Sequence, residues 1–172
     1  MRLLGLNSAL LSASDLDRGR LRLGMEPLAR SLETVQPDEL VVVLTHHPLR
    51  DGWLADQSTV LAWLQANAHV HLAGHLHAAD VEETRSGSGG RFLRITAGAA
   101  HGDPQPEGIP AGHGYSFAAV VPGPGPGELS LRLWPRRWSD KNKDFRPDQE
   151  CLPRGRAHAE HSLRLVLPAP GG

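Results

Sequence analysis

The sequence has a single cysteine, Cys151, so it can form no internal disulfide and no cysteine-based zinc site. It has no excess of either charge: 18 Lys and Arg stand against 19 Asp and Glu, for a net charge of −1 with histidine neutral. Nothing in that balance suggests a surface for a polyanion, and no nucleic-acid partner is expected. No run of about 18 apolar residues occurs, so no transmembrane helix and no membrane partner are expected. The first thirteen residues have an outline of a signal peptide, but Asn7 and Ser8 interrupt a short apolar region. A strand at Leu3–Leu6 followed by a polar loop is the expected reading, and a cytoplasmic location follows from these features together.

At 172 residues, 40% of them apolar and 22% charged, the chain is long enough for one domain with a real core and short for two. No internal repeat of solenoid size is visible. After the opening strand, the polar stretch from Ser12 to Leu23 reads as a loop or a short hairpin strand at Leu21–Leu23. Leu28, Leu32 and Val35 then recur at helical spacing, which predicts an amphipathic helix from Pro27 to about Val35, with proline tolerated in its first turn. Leu40-Val41-Val42-Val43-Leu44 is continuously apolar and mostly β-branched, the pattern of a strand buried on both faces.

Asp56 to Thr59 offers an N-cap for a second helix, with Val60, Leu61, Leu64 and Ala68 as its apolar stripe. Val70 to Ala73 is the next strand. Strand, helix and strand within about 35 residues make a βαβ unit with parallel strands. Beyond it, Asp80–Thr84 and Arg91–Thr96 read as a hairpin around a glycine-rich tip. Tyr115–Val121 and Leu129–Trp134 read as another, joined by the Pro-Gly repeat from Pro122 to Gly127. From residue 139 to 172 the chain is expected to be a polar tail, partly disordered, with a last short strand at Ser162–Leu167. Its basic residues alternate with Asp140, Asp144 and Asp148, as on a solvated face.

Both strands of the βαβ unit end in histidine. The first runs into Thr45-His46-His47-Pro48 and the second into Gly74-His75-Leu76-His77. Gly74 supplies backbone freedom for a sharp exit from the strand. Residues i and i+2 of an extended chain project to one side, so His75 and His77 can face one point. Ligand sites in such sheets form at the carboxyl ends of neighbouring strands, which favours convergence of His46 with His75. Imidazole is a common ligand for zinc and suits iron as well. His69 and His71, which alternate along the second strand, read instead as packed or hydrogen-bonded. His101, His113, His158 and His161 lie in expected loops or the tail with no ligand spacing.

Val43-Leu44-Thr45-His46-His47-Pro48 followed by Gly74-His75-Leu76-His77 resembles the second half of the calcineurin-like metallophosphoesterase domain, over roughly Met1 to Trp134. Metallo-β-lactamases fit less well, because Ala78-Ala79-Asp80-Val81 departs from the Asp and His that should follow their histidine pair. The amidohydrolase barrel is too long for this chain.

The resemblance implies an α/β fold: a partial metallophosphoesterase β-sandwich with flanking helices, formed by residues 1–138. By position, His46 and His75 match ligands of the family's second metal and His77 a ligand of the first, while His47 occupies a variable position. Family members hold two divalent ions (manganese, iron or zinc) and hydrolyse phosphomonoesters or phosphodiesters. Asp-x-His and Gly-Asn-His, which belong to the family's first half, are absent, as is a Gly-Asp at the required place. At most one ion is therefore expected here, with a missing N-terminal half or self-association needed to complete a hydrolytic site. A catalytically inactive fragment or interaction module is the alternative.

Overall fold

A computed structural model describes residues 1–76, 79–87, 89–99 and 113–165. Its first sheet contains β1 (Arg2–Gly5), β2 (Val41–Thr45), β3 (Val70–Ala73), β4 (Asp80–Arg85) and β5 (Arg91–Thr96), in the order β1-β2-β3-β5-β4. β1, β2, β3 and β5 run parallel, and β4 closes one edge antiparallel to β5. Helix α1 (Met25–Leu32) connects β1 to β2, and α2 (Gln57–Asn67) connects β2 to β3. The second sheet contains β6 (Gly114–Pro122), β7 (Glu128–Ser139), β8 (Asp144–Pro147) and β9 (Ala159–Arg164). The long β7 pairs antiparallel with the other three.

The β2 sequence explains why there are two apolar layers. Successive side chains of a strand point to opposite faces. Val41 and Val43 enter the cluster formed with Leu28 of α1 and with Val60 and Leu64 of α2. Leu40 and Val42 enter the cluster shared with Val70, Leu93, Leu131, Leu133 and Leu163, which lies between the sheets. Both faces of β2 are buried, as its uninterrupted apolar run implies. Each such side chain contributes roughly 1.5–3 kcal/mol when taken out of water. The 139–172 segment adds Leu152, Ala159 and Leu163 to the inter-sheet core, with β8 and β9 laid along β7.

Several local expectations shift. The first helix begins two residues earlier than its apolar spacing suggests and ends at Leu32; Val35 still packs against the helix-side core from the following turn. Of the two readings of Leu21–Leu23 the loop holds, with an isolated bridge joining Leu21 to Leu54. Asp56 sits at the N-cap of α2 but makes no capping bond. Its carboxylate instead accepts the backbone N–H groups of Leu23 and Gly24, at 3.4 and 2.9 Å, tying the start of α1 to that of α2. The last strand begins at Ala159, three residues before the apolar signal.

The edge strands leave inward-facing apolar side chains uncovered. Leu3 stands opposite Val42 in the parallel register and shares its face toward the second sheet, yet it is 60% exposed. Val120 on β6 stands opposite the buried Leu131 and is 40% exposed. No helix among the described residues is long and apolar enough to cross a membrane.

Candidate metal centre

Parallel pairing of β2 with β3 aligns Thr45 with Ala73, the last residue of each strand. The ladder continues one step further, because the Gly74 N–H donates to the His46 carbonyl at 3.1 Å. His46 and Gly74 are thus held side by side, and His75 follows at once. The sharp exit is made by His75, at φ 71°, and not by Gly74 as expected. A non-glycine residue with positive φ is uncommon, and such residues cluster at ligand sites. Here the left-handed turn sends the His75 ring back over the end of β2. Its Nδ1 lies 3.2 Å from His46 Nε2.

His47 completes a group of three. Its ring centroid lies 4.8 Å from that of His46 and 4.7 Å from that of His75. One ring nitrogen from each of the three residues lies within 4.8 Å of the others. The variable position therefore contributes to the cluster, although alternation alone would point adjacent residues to opposite sides. The regular strand ends at Thr45 and its last ladder bond is at His46, so that rule no longer applies to His47. Pro48, which restricts the backbone of the residue before it, was the sequence signal for this break.

Buried hydrogen bonds fix the loop. Thr45 Oγ1 donates to the His47 carbonyl at 2.6 Å and lies 2.8 Å from His71 Nε2, from which it accepts. Ser8 Oγ accepts the backbone N–H groups of His46 and His47 at 3.1 and 2.9 Å. His47 Nδ1 lies 3.1 Å from the Ser8 carbonyl oxygen. Trp53 stacks on His47 at a centroid distance of 5.4 Å and meets His75 edge-on at 4.0 Å, walling one side of the cluster.

The electrostatics favour a neutral imidazole at His47. Burial, followed by the neighbouring His46, holds His47 below the usual histidine range. Burial, followed by the Arg94 charge, pushes His71 down to about 4. Neutral rings carry the lone pair that a metal requires. Arg50, close to the site in sequence, is engaged by Asp51, Asp80 and Glu82.

The donor set fits one divalent ion. Zinc–nitrogen bonds of about 2.0–2.1 Å in tetrahedral geometry place ligand nitrogens roughly 3.3 Å apart. The His46–His75 separation of 3.2 Å, that of a hydrogen bond between the two rings, lies close to this spacing. The widest pair, at up to 4.8 Å, would need to close by about 1.5 Å. Three imidazoles are one donor short of a tetrahedral set among the described residues. No carboxylate belongs to the cluster among the described residues. His77 lies outside the described residues.

The remaining described histidines have other surroundings. His69 Nδ1 accepts the Val41 N–H at 3.1 Å, and His71 is bonded to Thr45, as expected for packed strand residues. His158 packs against Trp134, and His161 lies 3.6 Å from Glu83. His113 forms an isolated bridge with Ala99.

Neither a protein-family model nor a curated protein matches the sequence. Two solved structures align with most of the chain. Vps29 of Chaetomium thermophilum is 12% identical over 96% of this chain and 97% of its own, with a TM-score of 0.36. A conserved uncharacterized protein of Streptococcus pneumoniae TIGR4, titled a predicted phosphoesterase, is 13% identical over 93% and 96%, with a TM-score of 0.35. Scores this low establish no equivalence of fold, and the site rests on its own geometry.

Proposed function

We propose that this chain is a metal-binding domain of metallophosphoesterase type, in which His46, His47 and His75 hold one divalent ion at the carboxyl ends of β2 and β3. The observation that carries this reading is the 3.2 Å approach of His75 Nδ1 to His46 Nε2, achieved at the expense of a left-handed backbone at His75. Zinc, iron and manganese are the candidate ions, with imidazole donors favouring the first two. His77, two residues beyond His75, is a further candidate ligand by its place in the Gly-His-x-His motif.

Phosphomonoesters and phosphodiesters are the substrate class. A bound divalent ion would supply charge stabilisation for the phosphoryl oxygens and a lowered pKa for water. The chain's own residues orient that chemistry: Thr45 and Ser8 fix the loop, and Trp53 shields one side from solvent. A two-metal hydrolysis needs ions roughly 3.5–4 Å apart around one nucleophile. Three imidazoles, with no carboxylate beside them among the described residues, hold one ion and not two, so this domain binds metal without efficient turnover.

The test is hydrolysis of p-nitrophenyl phosphate and bis(p-nitrophenyl) phosphate with manganese or zinc present. The wild-type chain is expected to be no faster than His46→Ala/His75→Ala. Robust metal-dependent turnover that is lost in the double variant would show that the chain completes a catalytic site, and would overturn the non-catalytic part of the reading.

A further inference from the structure

We infer that Ser8, 39 positions away from His47 in sequence, is the positioning residue that turns His47 Nε2 toward the cluster as a metal ligand. The inference rests on the metal-binding reading above. Ser8 and His47 are each 2% exposed, so neither finds its partners in water. The Ser8 hydroxyl accepts two successive backbone N–H groups, those of His46 and His47. Two consecutive N–H groups aimed at one oxygen fix the backbone direction from which both rings depart.

The Ser8 carbonyl then sets the tautomer. A neutral imidazole carries one N–H, and which nitrogen bears it is decided by the hydrogen bond available. His47 Nδ1 lies 3.1 Å from the Ser8 carbonyl and 3.2 Å from the Ser8 hydroxyl. With the proton on Nδ1, the ring donates to the carbonyl and Nε2 keeps its lone pair. With the proton on Nε2, Nδ1 would have to accept from the hydroxyl, and Nε2 could not bind a metal. The first arrangement is favoured by the shorter contact and by the lack of any other donor to the Ser8 carbonyl among the described residues, although it leaves the Ser8 hydroxyl proton without an acceptor there. A buried carbonyl left without a donor costs about 1–3 kcal/mol. This is the outer-shell contact by which a carbonyl orients a ligating histidine. Stacking of Trp53 on His47 holds the ring in that plane.

Nitrogen-15 NMR of histidine-labelled, metal-free protein at neutral pH reads the tautomer directly. The expected result is a protonated Nδ1 and a bare Nε2 on His47, with the Nε2 signal shifting when zinc is added. A proton on Nε2 would overturn the inference without any variant having to fold. Zinc titration of Ser8→Ala, which keeps the carbonyl but removes the hydroxyl that accepts both N–H groups, should show a 10- to 100-fold loss of affinity with the fold intact by circular dichroism. Ser8→Thr, which keeps the hydroxyl, should recover most of that loss. Unchanged affinity in Ser8→Ala would overturn the part given to the Ser8 hydroxyl, and a proton on Nε2 would overturn the part given to its carbonyl, which that variant keeps. Zinc binding that survives His47→Ala unchanged would overturn both, while leaving His46 and His75 as ligands. Absence of any zinc binding by the wild-type protein would instead sink the metal reading itself.

Discussion

His75 Nδ1 stands 3.2 Å from His46 Nε2, a contact that bridges the ends of two neighbouring parallel strands. It depends on His75 holding φ 71°. A side chain in the left-handed region costs roughly 1–2 kcal/mol, and glycine is exempt. His75→Gly should therefore be more stable than His75→Ala by about 1 kcal/mol in urea unfolding. Both should lose metal affinity, since both lose Nδ1. Equal stability of the two variants would show that the backbone at 75 is not strained.

Acid should weaken the fold in a defined window. His71 is 1% exposed, and its pKa falls from 6.5 to about 4 on folding. Below about pH 6.5 the unfolded chain takes up a proton that the folded chain refuses, so stability falls as pH drops and the loss levels off near pH 4. His71 alone accounts for about 3 kcal/mol across that window, and His47 and His69 are shifted in the same direction. Urea midpoints should decline between pH 7.5 and 5, and the slope should flatten in His71→Gln. An identical slope in that variant would remove His71 from the explanation.

The β1 edge should promote self-association. β1 lies at the end of its sheet with unpaired backbone groups, and Leu3 faces the inter-sheet layer while 60% exposed. Size-exclusion chromatography over a hundredfold concentration range should show a concentration-dependent increase in size. Leu3→Lys, which places a charge on that edge, should return the protein to a monomer. A wild-type monomer at every concentration would contradict this.

Apolar patterning made much of the fold legible. β3 was readable to the residue, because Val70 to Ala73 is bounded by polar residues and Gly74. The two buried faces of β2 followed from an unbroken apolar run. The convergence of His46 and His75 followed from their place after parallel neighbours. Two features of the site were not readable in this way. His47 belongs to the cluster because the chain leaves its strand before Pro48, and strand alternation says nothing about residues past a strand end. Ser8 reaches the site through a contact spanning 39 residues, which no local pattern encodes. The exchange between Gly74 and His75 shows a further limit: glycine permits a left-handed turn, but tertiary pairing decides which residue takes it. Here Gly74 is held by the His46 carbonyl, and the turn passes to its neighbour.

The central claim is that three imidazoles at the ends of β2 and β3 hold one metal ion. Isothermal titration of the metal-free protein with zinc, in parallel with His46→Ala, His47→Ala and His75→Ala, tests it most directly. The account predicts one ion per chain, weakened at least tenfold by each substitution, and displaced by acid as the imidazoles protonate. No binding by the wild-type protein, or binding that none of the three substitutions affects, would contradict it.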